Sequence, residues 1–227
     1  WEDSVGGFAG DTLGAAYVRK CSATGSVTAS EGMWMVGGFV GDMDVLPSTY
    51  ADVQECFAKV DVIGECYYMG GFVGSTDSSL GHTLKNCYAT GAVGLAAEEW
   101  SYVGGFVGVH NGPVDNCYST GKVPTGGYFG GFCGDNNGGS ITNCYWDTET
   151  SENPTSDGGT GKTTGQMQDV NTFTTWDIVA VANENTRNTN YVWNIADGES
   201  YPFLNWEPYR PHVSVLLVDD IRPMGGE

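Results

Sequence analysis

The sequence predicts an all-β fold: a β-solenoid of about five repeats, a small mixed C-terminal module and a terminal tail with one β-strand. Three observations carry this expectation. Two short phrases recur five times in one fixed order. Glycine supplies 35 of 227 residues, about twice its usual ~7% share, without the triplet period of collagen. Neither phrase has helical periodicity, and glycine every few residues would cost a helix about 1 kcal/mol each.

The first phrase is Gly6-Gly7-Phe8-Ala9-Gly10, then Gly37-Gly38-Phe39-Val40-Gly41, Gly70-Gly71-Phe72-Val73-Gly74, Gly104-Gly105-Phe106-Val107-Gly108 and Gly130-Gly131-Phe132-Cys133-Gly134, at spacings of 31, 33, 34 and 26. The second begins at Cys21, Cys56, Cys87 and Cys117 and runs as Cys-Tyr-Ala-Thr-Gly-x-Val in its clearest copy, Cys87 to Val93. It ends in a degenerate Cys144-Tyr-Trp-Asp. Short β-rich pieces punctuated by Gly, Asn and Asp are strands and turns. A repeat of about 30 residues with two or three such strands cannot bury its own apolar face. Stacking coils, like position on like position, solves this. Residues 1–145 are therefore read as the solenoid, one coil per repeat, 146–207 as a closing module and 208–227 as an extended tail.

A strand alternates its faces. In the cysteine phrase this places Cys and the small Ala or Ser inward and the aromatics Phe57, Tyr88, Tyr118 and Tyr145 outward, as a ladder for a ligand or partner. Trp146, Trp176, Trp193 and Trp206 give the closing module enough apolar area to cover that ladder instead. In the glycine phrase Phe is placed inward, which leaves Val40, Val73 and Val107 less buried or covered by something else.

Downstream, Gly159-Thr160-Gly161-Lys162-Thr163-Thr164 imitates a phosphate-binding loop. Ser156 stands where that loop needs its first glycine, and no hydrophobic strand precedes it. The segment reads as a turn into a short helix opened by a Thr163/Gln166 capping box. Pro208-Tyr-Arg-Pro211 marks a boundary. Beyond it, His212 to Val218 reads as a strand outside the repeat pattern, with Val213, Val215, Leu216, Leu217 and Val218 as assembly candidates for addition to an open sheet edge.

In these phrases, with Asn86-Cys87, Asn116-Cys117 and Asn143-Cys144, the sequence resembles the GLUG-motif repeat family. The resemblance continues through Cys144 to Thr150, Gly161 to Met167 and Trp193 to Trp206, and so spans about residues 5–206. It departs at Glu55, where Asn is replaced, and in the short fifth repeat. The resemblance implies a bacterial secreted or surface protein, such as an adhesin-like one, in which the repeats are non-catalytic stalk or binding modules. It supplies no catalytic residues.

Charge narrows the function. The net charge is −19, which argues against nucleic acid or an anionic membrane surface as partner, since both need a basic patch. No apolar run reaches the ~18 residues of a spanning helix, so membrane insertion is not expected. The chain starts at Trp1 rather than Met and reads as processed or excised. The five repeat cysteines form an inward ladder of small hydrophobes. Cys66 and Cys133 lie off it, Cys56–Cys66 is the candidate disulfide, and seven thiols leave at least one unpaired. No C-x-x-C pair suggests a metal. His82, His110 and His212 are scattered and read as surface-loop residues. Asp42/Asp44, Asp135 to Gly138 and Asp147/Glu149 read as solvated turns, with calcium as the alternative.

The sequence thus predicts no enzyme and no cofactor. It points to a structural extracellular or cell-surface protein: a self-assembling fibre or filament subunit joined head to tail through the C-terminal tail, or an adhesin stalk segment. The principal partner is then the protein itself, as a homopolymer. The alternative is a carbohydrate-binding module for surface glycans. A polysaccharide lyase is a distant third, because a −19 chain is a poor host for an anionic substrate.

Overall fold

The computed structural model describes residues 3–11, 16–30, 32–43, 51–77, 82–94, 97–98 and 100–208. The described residues between 3 and 162 wind into a coil with four parallel sheets as its sides, so each turn carries four short strands rather than two or three. The first sheet stacks Ser4–Gly6, Met35–Gly37, Tyr68–Gly70, Tyr102–Gly104 and Tyr128–Gly130. The second stacks Ala9–Asp11, Val40–Asp42, Val73–Asp77, Val107–Asn111 and Cys133–Asn136. In the third lie Ala16–Arg19, Ala51–Gln54, His82–Lys85, Pro113–Asp115 and Ser140–Thr142. The fourth holds Ser22–Thr28, Phe57–Ile63, Tyr88–Ala89, Tyr118–Ser119, Tyr145–Asp147 and a sixth strand, Thr160–Lys162. There are five strand levels, so four turns separate Ser4–Gly6 from Tyr128–Gly130.

Each phrase marks a corner. The glycine phrase turns the chain from the first sheet to the second. Backbones meet there so closely that a Cβ on Gly71 would lie 2.2 Å from the carbonyl oxygen of Gly105 one level on. The phenylalanine after each pair points into the core. Phe8, Phe39, Phe72, Phe106 and Phe132 stack down the axis at 4.6 to 5.0 Å, nearly parallel, each pair adding about 0.5–1.5 kcal/mol beyond burial. Val40, Val73 and Val107 are fully buried too, against the expectation from strand alternation. The chain bends between Phe and Val, so the period of two restarts at the corner and both residues face inward.

The residue before each cysteine turns the third sheet into the fourth. Lys20, Glu55, Asn86, Asn116 and Asn143 all hold a left-handed backbone, φ 51 to 55°. Asn enters this region more readily than most residues, since its short polar side chain can hydrogen-bond locally. That is the physical reason for the Asn-Cys pairs. On the two levels without Asn, the side chains compensate: Glu55 is paired with Arg19 and, at 3.6 Å, with Lys20.

Cys56, Cys87, Cys117 and Cys144 point inward as expected. All seven cysteines are free thiols. No bond joins Cys56 to Cys66: Cys56 Sγ contacts the Gln54 carbonyl at 3.1 Å, and Cys66 Sγ the Tyr68 carbonyl at 3.8 Å. Cys56 belongs to the inward ladder, whereas Cys66 sits in the connection that returns to the first sheet. Burial pushes the Cys66 thiol up to about 12 and holds Cys117 and Cys133 well above the ordinary thiol value; these are packing residues rather than nucleophiles.

The two ends of the rod differ. At the fifth level, Trp146 occupies the inward position held by Ala23, Ala58, Ala89 and Ser119 above it and plugs the core. Residues 151–162 then cover the exposed backbone: Gly131 N donates to the Thr155 carbonyl at 2.8 Å, and Cys133 N to Ser156 Oγ at 2.8 Å. At the other end the first-level strands are the last in all four sheets, and Phe8 is 47% exposed. No described residue pairs with that edge from outside.

Candidate functional site

The four outward aromatics named from the sequence come together on the fourth sheet. Phe57 stacks on Tyr88 at 5.1 Å and Tyr88 on Tyr118 at 4.9 Å. Their cover is the chain's own C-terminal module. This module contains the short helix Thr164–Met167, capped by Thr163 and Gln166 as read from the sequence. It continues through the 3-10 turn Val170–Phe173. A sheet follows, in which Ile178–Val181 runs parallel to Trp193–Ala196 and Phe203–Leu204 antiparallel to it. Trp206 stacks on Phe57 at 5.5 Å, Trp193 lies 6.0 and 5.9 Å from Tyr88 and Tyr118, and Phe173 meets the Tyr145 edge at 5.4 Å. Phe57, Tyr88 and Tyr118 are buried and Tyr145 half-buried. The ladder is therefore a core between two parts of the chain, not a ligand platform, because the module's tryptophans remove it from solvent.

Three tryptophans also read the left-handed corner. Trp206 Nε1 donates to the Glu55 carbonyl at 2.9 Å, Trp193 Nε1 to Asn86 Oδ1 at 3.1 Å and Trp176 Nε1 to the Asn143 carbonyl at 3.0 Å. A buried indole needs such an acceptor, and the corner supplies one on levels two, three and five. Asp147, fully buried, ties the ends together. Its Oδ1 accepts from Glu149 N and Thr150 N, and its Oδ2 from Thr164 Oγ1 at 2.7 Å and Tyr201 OH at 2.6 Å. Burial, and then Asp147, push the Tyr201 hydroxyl up to about 12, so it remains a donor.

Between ladder and module lies a cavity of about 380 Å³. Lys59 Nζ reaches Glu207 at 3.1 Å and lies 4.5 Å over the Phe57 ring. Arg187 stacks 4.3 Å over Phe203 and donates to the Glu207 carbonyl at 3.3 Å. Lys59 thus fastens the module to the rod, and Arg187 ties segments of the module to one another. Among the described residues no group of three or more His, Cys, Asp or Glu converges to hold a metal. The loop resembling a phosphate cradle contributes Thr160–Lys162 to the fourth sheet, in register with Tyr145 to Asp147. Val213, Val215, Leu216, Leu217 and Val218, with Asp44 and His212, lie outside the described residues.

Two histidines are not where the sequence placed them. His82 and His110 are buried on neighbouring levels, ring centroids 6.2 Å apart. Thr76 Oγ1 meets His110 Nδ1 at 3.0 Å, while neither ring nitrogen of His82 has a hydrogen-bond partner. The glycines at 112 and 139 leave room for these rings: a Cβ at either would lie 2.4 Å from an imidazole. Those glycines were the available signal. Burial pushes both groups down to about 4, with His82 adding to the effect on His110. The unfolded chain binds protons near pH 6.5 that the fold refuses, so this stability is complete above pH 6.5 and is lost as pH falls toward 4. Urea midpoints should show a loss of about 2 kcal/mol per histidine between pH 7 and pH 5. The double variant His82→Leu/His110→Leu should flatten that slope; an unchanged slope would place the titration elsewhere.

A second aromatic row, unread in the sequence, lies on the outside of the rod where the chain enters the first sheet. Trp34, Tyr67, Trp100 and Tyr128 are 36, 40, 48 and 54% exposed. Trp34 stacks on Tyr67 at 4.5 Å, Tyr67 meets Trp100 at 4.7 Å, and Tyr102 stacks on Tyr128 at 4.5 Å. Tyr68, Tyr102 and Tyr128 stand in register, each two residues before the first glycine of the phrase, and that constant offset is the signal that could have found them.

Comparison with known proteins finds a GLUG motif in residues 101–123. The matched stretch is one turn of the coil, from Ser101 through the four strands of level four to Val123. No curated protein and no solved structure matches the chain.

Proposed function

Because the chain is a GLUG-motif β-solenoid, we propose that it is a structural, non-catalytic module of an extracellular surface assembly, a fibre subunit or stalk joined end to end. The observation that carries this reading is the difference between the two ends. One is plugged by Trp146 and roofed by residues 151–162. At the other, no described residue pairs from outside with the first-level strands that end all four sheets, which leaves edges suited to pairing with another chain. The strand-forming sequence Val213 to Val218 is the proposed occupant of a neighbour's open edge. Such a contact is heterologous and does not close, so it builds filaments. The extracellular location rests on the resemblance of the repeats, and the homopolymer on this open edge.

The test is electron microscopy and light scattering of the chain against a variant lacking residues 211–227, with a synthetic peptide of residues 211–221 as competitor. The full chain should form filaments, the truncated chain should be a folded monomer, and the peptide should shorten filaments in proportion to its concentration. Filaments of equal length from the truncated chain would defeat the proposal, as would a full chain that stays monomeric at every concentration.

A further inference from the structure

The exposed aromatic row has no counterpart in the assembly reading. It runs beside the first sheet from level two to level five, where it meets the plugged end, and it does not touch the first-level edge. Soluble proteins seldom leave so many contiguous large apolar side chains in water without a partner. The rings pack mainly on one another.

The row's last ring differs. Tyr128 stacks on Tyr102 through one face and also lines a cavity of about 360 Å³ with Thr155, Ser156 and the carboxylates Asp135 and Asp157. Asp157 Oδ2 accepts from Asn136 N at 2.7 Å, which fixes that side chain at the rim. An aromatic face beside fixed carboxylate acceptors suits a ring with apolar C–H faces and hydroxyl edges: the face stacks and the hydroxyls donate.

Charge selects among the ligands that could use such a surface. The chain carries −19, Glu65 and Glu98 are exposed two residues before Tyr67 and Trp100, and two further carboxylates line the cavity. An anionic polymer or a second copy of this chain would be repelled there; a neutral, hydroxyl-rich chain would not. The levels repeat at the strand separation of about 4.8 Å, so the row offers similar contacts at each step along an extended polymer. We propose that the row Trp34–Tyr67–Trp100–Tyr128, with the cavity at Tyr128, is a binding surface for a neutral, extended polysaccharide, one sugar ring stacking on Tyr128 with its hydroxyls donated to Asp135 and Asp157.

Affinity electrophoresis of the full chain in gels containing hydroxyethylcellulose, a galactomannan or a soluble β-1,3-glucan tests this, with alginate as the anionic comparison. At least one neutral polymer should retard the protein and alginate should not. Trp100→Ala and Tyr128→Ala should each weaken retardation roughly 2- to 10-fold, the range expected for one lost aromatic contact. Asp157→Asn should weaken it as well, and Tyr191→Ala, an exposed ring outside the row, should leave it unchanged. Circular dichroism confirms that each variant is folded. Three results overturn the proposal: no retardation by any neutral polymer, equal retardation of the wild type and the Trp100→Ala/Tyr128→Ala double variant, or preferential binding of alginate. Loss of self-association in that double variant would instead make the row an interface between copies, which also overturns it.

Discussion

Gly71→Ala is expected to abolish cooperative folding, although it adds a single methyl group. The new Cβ would lie 2.2 Å from the Gly105 carbonyl oxygen and 3.1 Å from the Ala89 Cβ. A flexible side chain could move aside, but here the obstacle is backbone of the next level. That backbone is held by Gly71 N to the Gly104 carbonyl at 3.1 Å and Phe72 N to the Phe106 carbonyl at 2.8 Å. Displacing it also slides Phe72 off Phe106. Ordinary overpacking costs about 1–3 kcal/mol; a clash that opens two ladders and a buried stack belongs in the tail above about 4 kcal/mol. Urea denaturation followed by far-ultraviolet circular dichroism should show no cooperative transition. Gly165→Ala provides the contrast. It lies in the helix Thr164–Met167 with nothing within 4 Å of an added Cβ, and should gain up to about 1 kcal/mol. A wild-type-like transition for Gly71→Ala would rule out the close-approach account of the phrase.

Trp193→Ala should release the C-terminal module while the coil stays folded. Trp193 is fully buried, lies 4.9 Å from Trp176, and is the one indole placed between Tyr88 and Tyr118. Its removal costs about 3–5 kcal/mol as a large-to-small core change. It also strips Asn86 Oδ1, a buried acceptor, of its donor, adding roughly 1–3 kcal/mol. Hydrogen exchange should then show protection lost across residues 164–207 and kept in the glycine-phrase strands. A hydrophobic dye should bind the uncovered ladder. Trp193→Phe, which keeps the packing but not the N–H, should fall between the two. Equal loss of protection in coil and module would mean that the two fold as one unit.

Much of this architecture was legible because a solenoid repeats its chemistry. The Phe39–Phe72–Phe106–Phe132 column, the inward cysteines, the outward Phe57 and Tyr88 and the Thr163/Gln166 cap follow from period and residue type. The failures occur where the chain turns. Alternation assigned Val73 to the wrong face because it assumed a straight strand through a corner. Asn86 and Asn116 looked like punctuation of a motif and are in fact the residues that make a left-handed bend. Trp34 and Tyr67 precede the first glycine of the phrase by three residues, Trp100 by four and Tyr128 by two, so aligning the repeats does not superpose all four. Connections of unequal length hide what the fold aligns. His82 and His110 belong to different sheets, and only the coil brings them together.

The tryptophans that descend the corner column also decide how the rod bears load. Trp206 grips level two, Trp193 level three and Trp176 level five, so the C-terminal module is a strap laid along the axis. Stretching those levels apart must shear the strap and rupture the ladders together. Level one has no such bond among the described residues. Among the described residues it is held by its ladders to level two, the Phe8–Phe39 stack and the pairing of Arg19 and Lys20 with Glu55. Tension applied to level one therefore peels that coil before it reaches the four that are strapped, a yielding lip in front of a stiff body.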